Sequence, residues 1–162
     1  MSGRAARQRV LLAAALGVCL ALPTGASARM ATFPEGIFGS VRESRETGDL
    51  GGLELRLFRQ GERLMAEVVL CEGWCNVSHV VPVTVTDGGY RLRFSERYEG
   101  AGDGGELVTD VELVPAGKGF RARISSPGQS EPASWDDAYR LRPLKQPYGL
   151  AVAHPDGEPR GR

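Results

Sequence analysis

Residues 79–98 read HVVPVTVTDGGYRLRFSERY, and this stretch decides the fold. Val81, Val83 and Val85 alternate with Val80, Pro82 and Thr84 on the approach to Asp87-Gly88-Gly89. Beyond the glycines, Tyr90, Leu92 and Phe94 alternate with Arg91, Arg93, Ser95 and Arg97. A period of two sends the two sets to opposite faces of a strand. Asp-Gly-Gly between two such runs marks a hairpin, because glycine tolerates positive φ. The stretch predicts two antiparallel strands, His79 to Thr86 and Tyr90 to Tyr98, each with one apolar face.

The same alternation continues in both directions. Upstream it predicts strands at Ile37 to Ser44, at Leu53 to Arg59 (Leu53, Leu55 and Leu57 against Glu54 and Arg56) and at Arg63 to Leu70. Downstream it predicts strands at Leu107 to Val114, Phe120 to Ser126 and Ala138 to Leu144. Glu99 to Glu106 reads as a polar, glycine-rich loop, and Pro127 to Asp137 as a longer connection with one helical turn near Ser134. Pro147 to Ala153 adds a short edge segment, and residues 154–162, with two Pro and two Gly, read as a disordered tail. No segment after residue 28 sustains a 3.6-residue apolar period for three turns. Short links between strands favour antiparallel neighbours. The fold class is all-β: about eight antiparallel strands in an up-and-down meander. They form a small closed barrel or, as the alternative, a two-sheet sandwich.

Charge follows the strands. Arg91 and Arg93 stand on one predicted outer face, Asp110 and Glu112 on the next, then Arg121 and Arg123, then Arg140 and Arg142. Opposite charges facing each other across paired strands are stabilising. The pattern reads as a solvated, ion-paired face, or as a surface for an anionic ligand that uses the surplus arginines.

The first 28 residues have the order of a secretory signal: Arg4, Arg7 and Arg9, an apolar run from Val10 to Leu22, a break at Pro23 and Gly25, then Ala26-Ser27-Ala28. The run is too short for a helix across a ~30 Å bilayer core. Cleavage after Ala28 leaves one domain at 29–153 and the tail, in a secreted or periplasmic location with no remaining membrane span. A membrane anchor and lipidation at Cys19 are the rival readings of this segment.

Loss of the signal leaves Cys71 and Cys75, in Cys71-Glu72-Gly73-Trp74-Cys75. In an oxidising compartment this pair predicts a disulfide, with Gly73 allowing the turn that joins them. Trp74 between them is either an anchor for a binding partner or a plug for the barrel end. Cys71, Cys75 and His79, spaced four apart, form an alternative copper or zinc ligand set, and the cysteines an alternative redox pair. Catalytic signals are sparse: there is no Gly-x-Ser-x-Gly, and adjacent Asp136 and Asp137 read as a turn.

Gly36-Ile37-Phe38 opening the first strand, and Arg140 or Arg142 in the last, make the chain resemble a calycin, the lipocalin and avidin type of small barrel. In lipocalins the first motif is Gly-x-Trp, and the late arginine packs over that ring. The resemblance implies a ligand-binding or inhibitory barrel. Phe38 replaces the Trp, and no long C-terminal helix pattern follows.

With 20 Lys+Arg against 20 Asp+Glu, the chain has no basic field to attract nucleic acid. The expectation is a secreted, non-enzymatic binding or inhibitory module of the bacterial envelope, without cofactor, its partner an envelope protein or small ligand. The alternative is a periplasmic metal or redox protein using Cys71, Cys75 and His79.

Overall fold

A computed structural model describes residues 33–98, 105–128 and 134–154, all within one compact unit that begins at Phe33. The expectations for the signal at 1–28, for residues 99–104 of the loop, for residues 129–133 of the long connection and for 155–162 lie outside the described residues, whereas Gly105 and Glu106, expected in the loop, belong to a strand. The strands are β1 (Gly36–Gly39), β2 (Arg42–Glu43), β3 (Leu50–Gln60), β4 (Arg63–Gly73), β5 (His79–Pro82), β6 (Thr84–Thr86), β7 (Gly89–Tyr98), β8 (Gly105–Ala116), β9 (Gly119–Ser125) and β10 (Tyr139–Leu144). A 3-10 turn, η1, covers Trp135–Asp137, and a short helix, α1, covers Gly149–Ala153.

Every pairing is antiparallel, in the order β5-β4-β3-β1-β10-β9-β8-β7-β6, with β2 on β3. The predicted eight strands are all present, two of them in halves: β1 and β2 divide at Ser40, and β5 and β6 at Val83. β5 and β6 stand at the two ends of the pairing order yet are consecutive in the chain. The covalent link through Val83, whose N–H donates to Leu64 O at 2.8 Å, therefore carries the ring of strands round to a nearly closed barrel.

The alternation predicts the interior well. Leu53, Leu55 and Leu57 on β3, Ala66 and Val68 on β4, Leu92 and Phe94 on β7, Val111 and Leu113 on β8, and Leu141 on β10 pack into one cluster. Phe38 meets Phe120 edge-on at 4.9 Å, and Tyr90 meets Phe120 at 5.9 Å and Phe33 at 5.3 Å.

Several expectations are corrected. Val85 is 61 % exposed, because the chain bends at Val83 and the short β6 falls outside the packed interior. The hairpin at Asp87-Gly88 turns without positive φ at either glycine. Gly89 is instead required by a close approach, since a Cβ there would lie 1.9 Å from Leu113 O. Arg140 and Arg142 do not cover Phe38; the guanidiniums that lie over rings among the described residues are Arg56, Arg59, Arg121 and Arg123. The stretch Pro147 to Ala153, expected as an edge segment, instead holds the helix α1 at Gly149–Ala153. His154, expected in the tail, is the C-cap of that helix and is bonded to the barrel wall.

Candidate functional site

β4 runs on past its pairing with β5 and ends in the cysteine loop. Cys71 and Cys75 form a disulfide with Cα atoms 4.3 Å apart. Gly73 supplies the turn with φ +83°, and Glu72 N–H donates to Trp74 O at 3.2 Å. The two cysteines are 2 % and 1 % exposed, whereas Trp74 between them is 56 % exposed and belongs to neither apolar cluster. The ring therefore does not plug the barrel end. It stands on a loop whose two feet are buried.

The feet are buried in a second, smaller core on the outside of the barrel, made by Leu50, Val69, Cys71, Cys75 and Leu150. Its lid is α1. Gly149 brings the helix backbone close, since a Cβ there would sit 3.3 Å from Cys71 Sγ and 3.0 Å from a Val41 methyl. A five-residue helix is too short to stand alone in water. Here its first amides are held from the sheet: the N–H groups of Tyr148, Gly149 and Leu150 donate to the fully buried carboxylate of Glu54 at 3.0–3.3 Å. This is N-capping by a residue 94 positions upstream.

The other end is fastened to a buried glutamate of β4. His154 Nε2 lies 2.8 Å from Glu67 Oε1 and 2.5 Å from Ser78 Oγ, and Ser78 donates to Glu67 at 3.2 Å. Arg56 completes the group at 2.6 Å from Glu67 Oε2. A Ser-His-acid relay needs the imidazole to meet the hydroxyl through one nitrogen and the acid through the other. In this cluster one nitrogen meets both, and Ser78 is buried. The arrangement fastens α1; it does not deliver a proton between two partners.

The loop borders a groove of about 1060 Å³ that reaches from Cys71 and Gly73 to Arg42, Arg140 and Arg142. Tyr139 lies in its wall, and burial, with the Glu72 carboxylate nearby, raises its hydroxyl above the ordinary tyrosine range. On the outer surface of β7–β9 the predicted charge ladder is formed. Arg91 and Arg123 both bond Glu112, and Arg93 makes a two-pronged contact with Asp110 at 2.7 and 2.8 Å. The hydrogen bond from Arg93 holds the Asp110 carboxyl below its ordinary value. Burial opposes ionisation of Glu112, but the hydrogen bonds from Arg123 and Arg91 outweigh it and leave that carboxyl lowered as well. Trp135 lies against the outer arginines, its ring 4.7 Å from Arg123 Cζ and 5.7 Å from Arg121 Cζ.

His79 takes a different position from the cysteines. It bridges the seam where β5 faces β7, bonded to Glu96 Oε1 at 3.0 Å and stacked on Phe94 at 4.9 Å. A groove of about 660 Å³ runs along this seam, past Ser78, Val81 and Ser95. The structure thus joins Cys71 to Cys75 and directs His79 elsewhere. Among the described residues no three His, Cys, Asp or Glu side chains converge as metal ligands would. Glu54, Glu67, Ser78 and His154 were not readable as a group. In sequence each glutamate is an ordinary polar position of an alternating strand, and no local signal marks the returning helix that buries it. Comparison with protein-family models, with curated proteins and with solved structures returns no match for this chain.

Proposed function

We propose that the protein is an exported, non-enzymatic binding or inhibitory module of the bacterial envelope, and that it grips a protein partner through Trp74. One observation carries this reading: a tryptophan more than half exposed, held on a loop whose flanking cysteines are almost wholly buried. Exposing a large ring to water is unfavourable, and pre-ordering its loop reduces the entropy lost on association. Tryptophan is among the residues that dominate interface energetics. The adjoining charged groove supplies the polar rim that such anchors have.

The test uses wild-type protein and Trp74→Ala as parallel baits in envelope extract, followed by affinity measurement on the partner recovered. Loss of the anchor is expected to weaken binding by at least thirty-fold, roughly the 2 kcal/mol that defines an interface hot spot. The melting temperature should stay the same, because the ring packs in neither core. Equal capture and equal affinity for both baits would overturn the proposal.

A further inference from the structure

Four arginines form a staggered row on the outer face of β9 and β10: Arg121 and Arg140 stand opposite each other, with Arg123 two residues along β9 to one side and Arg142 two residues along β10 to the other. Arg140 is the direct register partner of Arg121. Like charges placed opposite each other on paired strands repel. Arg123 is relieved by Glu112. Arg121, Arg140 and Arg142 have no ion-pair partner among the described residues. Gly39, the register partner of Arg142, has no side chain to answer it, and the carboxylate beyond it, Glu54, is taken up by α1.

A second observation points the same way. The Nε of Arg121 is buried and has no hydrogen-bond partner among the described residues. Buried donors left unmade are rare and costly, and each one calls for an explanation. Trp135 lies over this guanidinium. A buried orphan donor beside a second, unopposed guanidinium is the arrangement that an oxyanion completes. Arginine forks match the oxygens of phosphate in pairs. Arg140 and Arg142 also line a groove together with Arg42. Glu43, Asp49 and Asp137 line the same groove, so a long polyanion would be repelled where a compact one fits.

We infer that Arg121, Arg140 and Arg142 bind a compact phosphoryl oxyanion on the β9–β10 face. Arg140 and Arg142 line the groove that also borders the Trp74 loop, but this binding does not rest on the Trp74 reading. The experiment titrates the full chain with sodium pyrophosphate by calorimetry, and in parallel floats it with phosphatidylglycerol and with phosphatidylcholine vesicles. Saturable binding to pyrophosphate identifies a free phosphate ligand. Binding to phosphatidylglycerol vesicles alone identifies a lipid headgroup. In either case Arg140→Ala and Arg121→Ala should weaken binding about ten-fold or more, and Arg140→Lys should restore it only in part, since it keeps the charge and loses the fork. Arg91→Ala removes the same charge from the acid-paired ladder and should leave binding unchanged. Binding to neither probe, or an equal loss in Arg91→Ala, would overturn the inference.

Discussion

Strands β3 and β4 bury both of their faces, and the two faces do so by different physics. The inner face carries Leu53, Leu55, Leu57, Ala66 and Val68, which stabilise the barrel by leaving water. The outer face carries Glu54 and Glu67, equally hidden, which stabilise a returning segment by accepting its hydrogen bonds. An apolar contact is tolerant of what it touches. A buried carboxylate is not: it is favourable only while its partners are in place. The barrel interior can therefore be altered by degrees, whereas the outer core is held by a few specific bonds.

The contrast is broken most sharply at Glu67. Glu67→Ala removes the acceptor shared by Arg56, Ser78 and His154 and leaves Ser78 and His154 without it in a nearly buried site, while Arg56 stays partly exposed. The expected loss is about 3–5 kcal/mol in urea unfolding, the range for breaking a buried ion pair. Leu55→Ala on the opposite face removes only apolar packing and should cost about 3 kcal/mol, within the range for buried leucine. A larger loss for Leu55 than for Glu67 would mean that the outer cluster is incidental to stability.

Glu54→Ala should act more locally. Three amides at the start of α1 lose their acceptor, at about 1–3 kcal/mol for an unmade buried bond. Hydrogen exchange should quicken at Val152 and His154, whose N–H groups donate within the helix. The β3–β4 ladder should keep its protection. If the strands exchange faster together with α1, the outer core and the barrel are one cooperative unit, and the contrast between the two faces fails.

The inner face was legible in the sequence because its signal is local: leucines two apart on a strand mean the same thing wherever the strand ends up. The charge ladder of β7–β9 was legible for the same reason, since it needs only strand order and alternation. The outer core was not. Leu150 reads as one apolar residue in a Pro- and Gly-flanked stretch, and Glu54 as the polar partner of Leu53 and Leu55. Only the return of the chain to β3 turns these into a helix and its cap. The cysteine loop was half legible: spacing predicted the disulfide, but the exposure of Trp74 depends on α1 filling the space beneath the loop.

The smallest effect belongs to the solvated ladder, which carries charge without deep burial. Glu112 is bonded by Arg91 and Arg123 on its two sides, and its carboxyl is lowered from the ordinary 4.5. A group whose folded value lies below its unfolded one contributes stability that is fully present above the unfolded value. That contribution is lost as pH falls through the folded one. The advantage of wild type over Glu112→Gln should therefore be present at pH 6, shrink below about pH 4.5 and vanish at lower pH. Its size should stay under about 1 kcal/mol, because the pairs are open to water and salt. Raising the ionic strength at pH 6 should reduce the difference further. Urea unfolding of both proteins across pH 2.5–6, at low and high salt, measures all three dependences. A difference that persists at the acid end, or that ignores salt, would place Glu112 with the buried glutamates of the outer core and not with the solvated ladder.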